Sequence, residues 1–258
     1  MNNLWPWRAG FSPRGALAPL CLILAGCGGS PAWRGPVDPA LAAFIPADTV
    51  ALAGIRVDRL RTTPLYRKLA GKFPIQNIHD VLLASDGADI LAIARGTVPG
   101  ATEYKGFTLY GDDAAVRAAI ERSKSGPGAP RDLIARAQSL PNDTQVWAVV
   151  AGWRGATPEQ LRVMGNLANL DRVLRLVAGA TLAVDLRTGA HATFVGDCHS
   201  EADAQNLADS LRGLASLAQL GAPRSAPGAL DGIRVTQEGR LVRVNADIPE
   251  DLAEKLMR

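Results

Sequence analysis

Residues 181–197 read TLAVDLRTGAHATFVGD, and their alternation decides the fold. Apolar side chains recur at every second position on both sides of Arg187-Thr188-Gly189, the period of a half-buried strand. Two antiparallel strands, 181–187 and 190–197, are expected around that turn. With three residues in the turn, Leu182 faces Phe194 and Val184 faces Ala192. A two-residue turn would set apolar positions against polar ones, so the longer turn is favoured. The same register places Asp185 opposite His191 on the other face.

Downstream, Ser200 caps a long helix, with Asp203 three residues on as a weaker relative of the capping box. The helix carries its apolar stripe on Ala204, Leu207, Ala208, Leu211, Leu214, Ala215 and Ala218. A hairpin of 233–237 and 240–248 follows, turning at Glu238-Gly239, with Val235 facing Val242 and Ile233 facing Val244. A last helix begins at Pro249.

Upstream, a helix is expected near 167–177, preceded by a strand over 145–151 and a helix over 132–139. Asp112 caps a helix to about Ser123, after a short strand at 107–110. Segments 81–85 and 90–94 flank Asp86-Gly87, a hairpin signal. A strand at 49–57 leads to Thr63-Pro64, the cap and first position of a short helix that Gly71 stops. Each half thus runs hairpin, helix, then further strand. The fold class expected is α+β: two related units of mostly antiparallel sheet with helices packed on one face, at 41–152 and 160–258.

The N-terminus carries an address. Arg8 and Arg14 precede an apolar run of ten residues, 16–25, with no acidic residue among them. Ten apolar residues are half of the roughly 20 a bilayer core requires, so 1–26 reads as an export signal. The run closes on Leu24-Ala25-Gly26-Cys27. This stretch resembles the lipobox of bacterial lipoproteins, whose cysteine is diacylated and becomes the new N-terminus. The resemblance implies lipidation at Cys27, anchorage to the lipid bilayer, and a place in the cell envelope. Gly28 follows, where such lipoproteins generally need Asp for inner-membrane retention; that implies the outer membrane, facing the periplasm. Residues 27–40, rich in Gly and Pro, are expected to be a flexible tether. No later run is long and apolar enough to span a bilayer, and the mature body is expected to be soluble.

Composition narrows the remainder. Of 28 basic residues two leave with the signal, so 26 face 25 acidic ones and the mature chain is nearly neutral. Nucleic-acid binding needs a concentrated basic surface, and no nucleic-acid partner is expected. Of three cysteines, Cys21 leaves with the signal and Cys27 is committed to lipid, so Cys198 has no internal disulfide partner.

Candidate chemistry is sparse. Asp185 and His191 form the most tempting pair, a carboxylate able to orient an imidazole as general base. A solvated cross-strand pair explains the same residues. Cys198 and His199 with His191 suggest a metal. Seven residues of strand, about 23 Å at 3.3 Å each, would separate the ligands, so no metal and no cofactor is expected. Cys198 reads as a small buried or half-buried thiol at a strand end, with a pKa lowered by the helix beginning at Ser200 as the alternative. Asp86-Gly87-Ala88-Asp89 reads as turn chemistry, with a calcium-binding turn as the alternative, and Arg59, Arg61, Arg67, Lys68 and Lys72 read as a solvated helix face, with headgroup binding as the alternative. Trp147 and Trp153 are expected in the core or at its rim. None of the common hydrolase, zinc-protease or nucleotide-loop motifs is present. The expectation is a non-catalytic envelope lipoprotein that acts on an envelope protein or an apolar ligand. The alternative is a hydrolase using Asp185, His191 and an unidentified nucleophile.

Overall fold

The alternation in 181–197 builds the centre of one antiparallel sheet. In the computed structural model, Leu182 pairs with Phe194, Val184 with Ala192 and Asp185 with His191. Residues 36–69, 77–126, 128–152, 175–220, 228 and 230–257 are described. Among them are ten strands: β1 (Ala51–Arg56), β2 (Ile78–Ser85), β3 (Ile90–Gly96), β4 (Thr102–Tyr104), β5 (Phe107–Tyr110), β6 (Val146–Ala151), β7 (Val177–Asp185), β8 (Ala190–Cys198), β9 (Ile233–Glu238) and β10 (Leu241–Ile248). Also among the described residues are seven helices: α1 (Pro39–Ala42), α2 (Val57–Arg61), α3 (Pro64–Leu69), α4 (Asp113–Ser125), α5 (Arg131–Gln138), α6 (Glu201–Leu220) and α7 (Glu250–Met257).

All strands join one sheet in the order β4-β5-β3-β2-β1-β6-β7-β8-β10-β9. The fold is α+β. The strands expected of the two halves meet through β1, β6 and β7, and Arg34–Arg258 forms one compact unit.

Cross-strand register sorts side chains onto two faces, because directly opposed residues share a face. The front face carries Leu52, Ala84, Leu91, Trp147 and Val149. There Val116 and Ala119 of α4, Leu133 and Ala137 of α5, and Leu41 of α1 complete the first core. The back face carries Ala180, Gly196, Phe194 and Val242. There α6 seats Ala204, Leu207 and Ala208 on Val177, Cys198 and Val242 as a second core. The larger helices, α4 and α5 of the first half and α6 of the second, thus pack on opposite faces of the shared sheet, while α3 and α7 meet through Leu65 and Ala253 beside Leu186, Ala190 and Ile248. Full burial of one such leucine, Leu207, stabilises the fold by about 1.5–3 kcal/mol.

Several local expectations shift. Val37 is buried and Asp38 caps α1 by accepting from the Ala40 amide, so residues 36–40 belong to the body rather than to a tether. The helix expected near 167–177 lies mostly outside the described residues; at its end Arg175 and Leu176 form a turn, and Val177 opens β7. Its β-branched Val177 packs into the second core, and burial there outweighs helical spacing. The last hairpin slips by two residues: Val235 faces Val244 and Ile233 faces Ala246, with Gly239-Arg240 as the turn. Gly239 has φ +54°, and a turn with a positive φ at its first central position selects glycine there. A slip of two leaves every side chain on its expected face.

A polar rim as the candidate functional site

Where β1 ends, register aligns a row of polar groups along the front face. Arg95, Asp80 and Arg56 stand opposite one another across β3, β2 and β1, and apolar Phe107 of β5 ends the row. The Arg56 amide donates to the Gln145 carbonyl, and the Gln145 amide to that of Val184, which carries the row across β6. It continues through Asp185, His191 and Asp247 on β7, β8 and β10.

The two residues expected to form a dyad are opposed, yet each has another partner. Arg187, from the turn, donates to Asp185 through Nη2 at 2.6 Å and through Nε at 3.0 Å. Those bonds hold the Asp185 carboxyl below its ordinary pKa. His191 Nδ1 faces Asp247 Oδ1 at 2.9 Å, and Nε2 faces the Thr188 hydroxyl at 3.1 Å. The Asp247 carboxylate raises the His191 pKa, against a smaller opposing effect of burial. Asp247 and Thr188 were not foreseen; Asp247 lies 56 residues away and meets His191 only through the β8–β10 pairing.

Hydroxyl, imidazole and carboxylate thus lie in a line, the order found in activated nucleophiles. The setting is solvent-exposed: the His191 side chain is 39% accessible and that of Asp247 61%. A catalytic line of this kind gains most of its effect from donors fixed in a water-excluded site. The exposed row instead provides charge and hydrogen bonds at a surface.

The other candidate residues separate. Cys198 is fully buried on the back face, opposite Val177, whereas His191 lies on the front. Burial, with Asp203 and Asp197 nearby, pushes its thiol pKa up, as fits a buried thiol at a strand end and not the helix-dipole alternative. His199 is exposed beyond the strand end. Among the described residues no cluster of three metal-ligating side chains occurs. Asp86 Oδ1 accepts from the Ala88 and Asp89 amides at 2.8 Å, which is turn chemistry.

The basic cluster divides as well. Arg61 pairs with Asp58, and Lys68 with Glu250 and Glu254 of α7. Arg59 donates to the Asn142 carbonyl. Lys72, Trp153 and Cys27 lie outside the described residues.

The back face supplies a second, apolar surface. Ala53, Leu83, Ala92 and Tyr110 form one cross-strand row, which continues through Ala148, Leu182, Phe194, Val244 and Val235. Ile55, Val81 and Ala94 on one side and Val146, Val184 and Ala192 on the other form the next row. Beyond α6, many of these side chains are half-exposed, and Tyr110 and Ile90 are 69% and 62% accessible. No described helix is long and apolar enough to cross a membrane.

No family model and no curated protein matches the chain. Among solved structures it is similar to crystal form I of TP0453, at TM-score 0.46 and 9% identity, covering 87% of this chain and 98% of that one.

Proposed function

We propose that this chain is a lipid-anchored protein of the bacterial envelope that works by binding, not by catalysis. The anchor rests on Leu24-Ala25-Gly26-Cys27. The observation that supports binding is the apolar back face, whose rows run through β5, β3, β2, β1 and β6 and end at the exposed Tyr110. An exposed apolar surface of this kind commonly marks a contact with protein or ligand. The pairing of Asp185 with Arg187, rather than with His191, disfavours the hydrolase alternative.

Two arms test the reading. Cys27→Ser abolishes metabolic fatty-acid labelling; persistent labelling overturns the anchor. A photo-crosslinking residue at Tyr110 in the intact envelope gives a heavier adduct, while one at Thr236, exposed on the front face, gives none. Failure of the Tyr110 probe to form an adduct overturns the binding surface.

A further inference from the structure

A nearly buried charge lies where β1 meets the rim. Arg56 is only 8% exposed, although its guanidinium brings five N–H donors and no acceptor. Among the described residues its hydrogen bond goes to one neutral group, the Asn142 carbonyl, at 2.5 Å. Arg59 of α2 donates to the same oxygen. Two cations therefore converge on one carbonyl and occupy both of its lone pairs.

Three of the surrounding carboxylates are engaged elsewhere. Asp58 holds Arg61 and His79, Asp38 holds Arg95, and Asp143 holds Arg187. Asp80 stands opposite Arg56 in register, and among the described residues no ion pair within 4.0 Å joins them. Burial pushes the Asp80 carboxyl above its ordinary pKa, against the pull of Arg56. Burial first, and then Arg59, weaken the hold of Arg56 on its proton. The pair carries surplus positive charge and spare donors.

We propose that Arg56 and Arg59 form a binding site for a phosphate group, carried by a lipid headgroup or by a soluble phosphate ester. A phosphate offers oxygens in several directions and up to two negative charges, which matches two guanidinium forks better than one planar carboxylate does. Buried Arg56 is held in place before binding, and half-exposed Arg59 closes the site from the solvent side. The site is independent of acylation at Cys27.

The test uses the full chain with Cys27→Ser, so that acylation cannot itself carry the protein onto membranes. Inorganic phosphate is titrated by calorimetry, and binding to vesicles of phosphatidylcholine, with and without phosphatidylglycerol, is measured by sedimentation. The parent chain binds phosphate, or the vesicles containing phosphatidylglycerol, saturably. Arg59→Ala weakens that binding about tenfold or more, the worth of a charge-assisted hydrogen bond. Arg67→Ala, an exposed arginine on α3, leaves it unchanged. Arg59-dependent vesicle binding assigns the phosphate to a headgroup, and binding of inorganic phosphate alone assigns it to a soluble ester. No saturable binding in either arm, or equal binding by Arg59→Ala, overturns the proposal. A melting curve without ligand confirms that Arg59→Ala folds.

Discussion

Gly54 is the residue that lets Trp147 reach the core. Trp147 is 1% exposed, and a Cβ on Gly54 would lie 2.3 Å from its indole ring. Something must move to admit even a methyl group. Gly54→Ala should therefore destabilise the fold by about 1–3 kcal/mol, the usual cost of overpacking, read as a lower urea midpoint at unchanged slope. An unchanged midpoint would show that the ring relaxes freely. The burial of Trp147 was legible in the alternation of β6; its dependence on Gly54 was not, because the two meet only through the β1–β6 pairing. His191 teaches the same lesson, since its visible neighbour Asp185 is not its partner. Asp247 on β10, Asp185 on β7 and Thr188 in the turn act on the imidazole, and Asp247 dominates. Its pKa is raised, so its contribution to stability is complete below the unfolded value of about 6.5 and is lost as pH rises through the folded value. The His191 ring-proton shifts should titrate above that unfolded midpoint, and Asp247→Asn should bring the midpoint down. An unmoved midpoint would remove Asp247 as the cause.

Among elements, turn chemistry decides what pattern alone leaves open. The β7–β8 register was legible because apolar and polar positions differ on its two faces. In the β9–β10 hairpin both candidate registers keep the same faces, so only the backbone demand of the turn separates them. Gly239 at φ +54° meets that demand, and nothing within 4 Å would crowd a Cβ there. Gly239→Ala should thus cost about 1–2 kcal/mol through backbone conformation alone, whereas Glu238→Ala should cost little. Comparable losses at both positions would favour Glu238-Gly239 as the turn. Helix caps were legible for the same local reason. Asp112 accepts from the Ala114 amide at 2.8 Å as expected. α2 and β4 were missed: five and three residues are too short to establish a period.

At the scale of the molecule, the sequence shows two similar halves and cannot show that they share hydrogen bonds. Each half presents its own hairpin and helix, so periodicity returns two units; the join through β1, β6 and β7 depends on pairing between residues far apart. The join has an energetic consequence. Parting the halves between β6 and β7 would bare two long, largely apolar edges, which sheets rarely leave open. It would also strip Val150, on β6, from the second core, and Ala183, on β7, from the first. The two cores should therefore unfold together, although they lie on opposite faces. Hydrogen exchange read by mass spectrometry at rising urea tests this in β2, under the first core, and β8, under the second. Their exchange free energies should converge on one global isotherm. If β8 exchanges through its own opening at lower urea while β2 stays protected, each half is a separate cooperative unit and the shared sheet is only a docking contact.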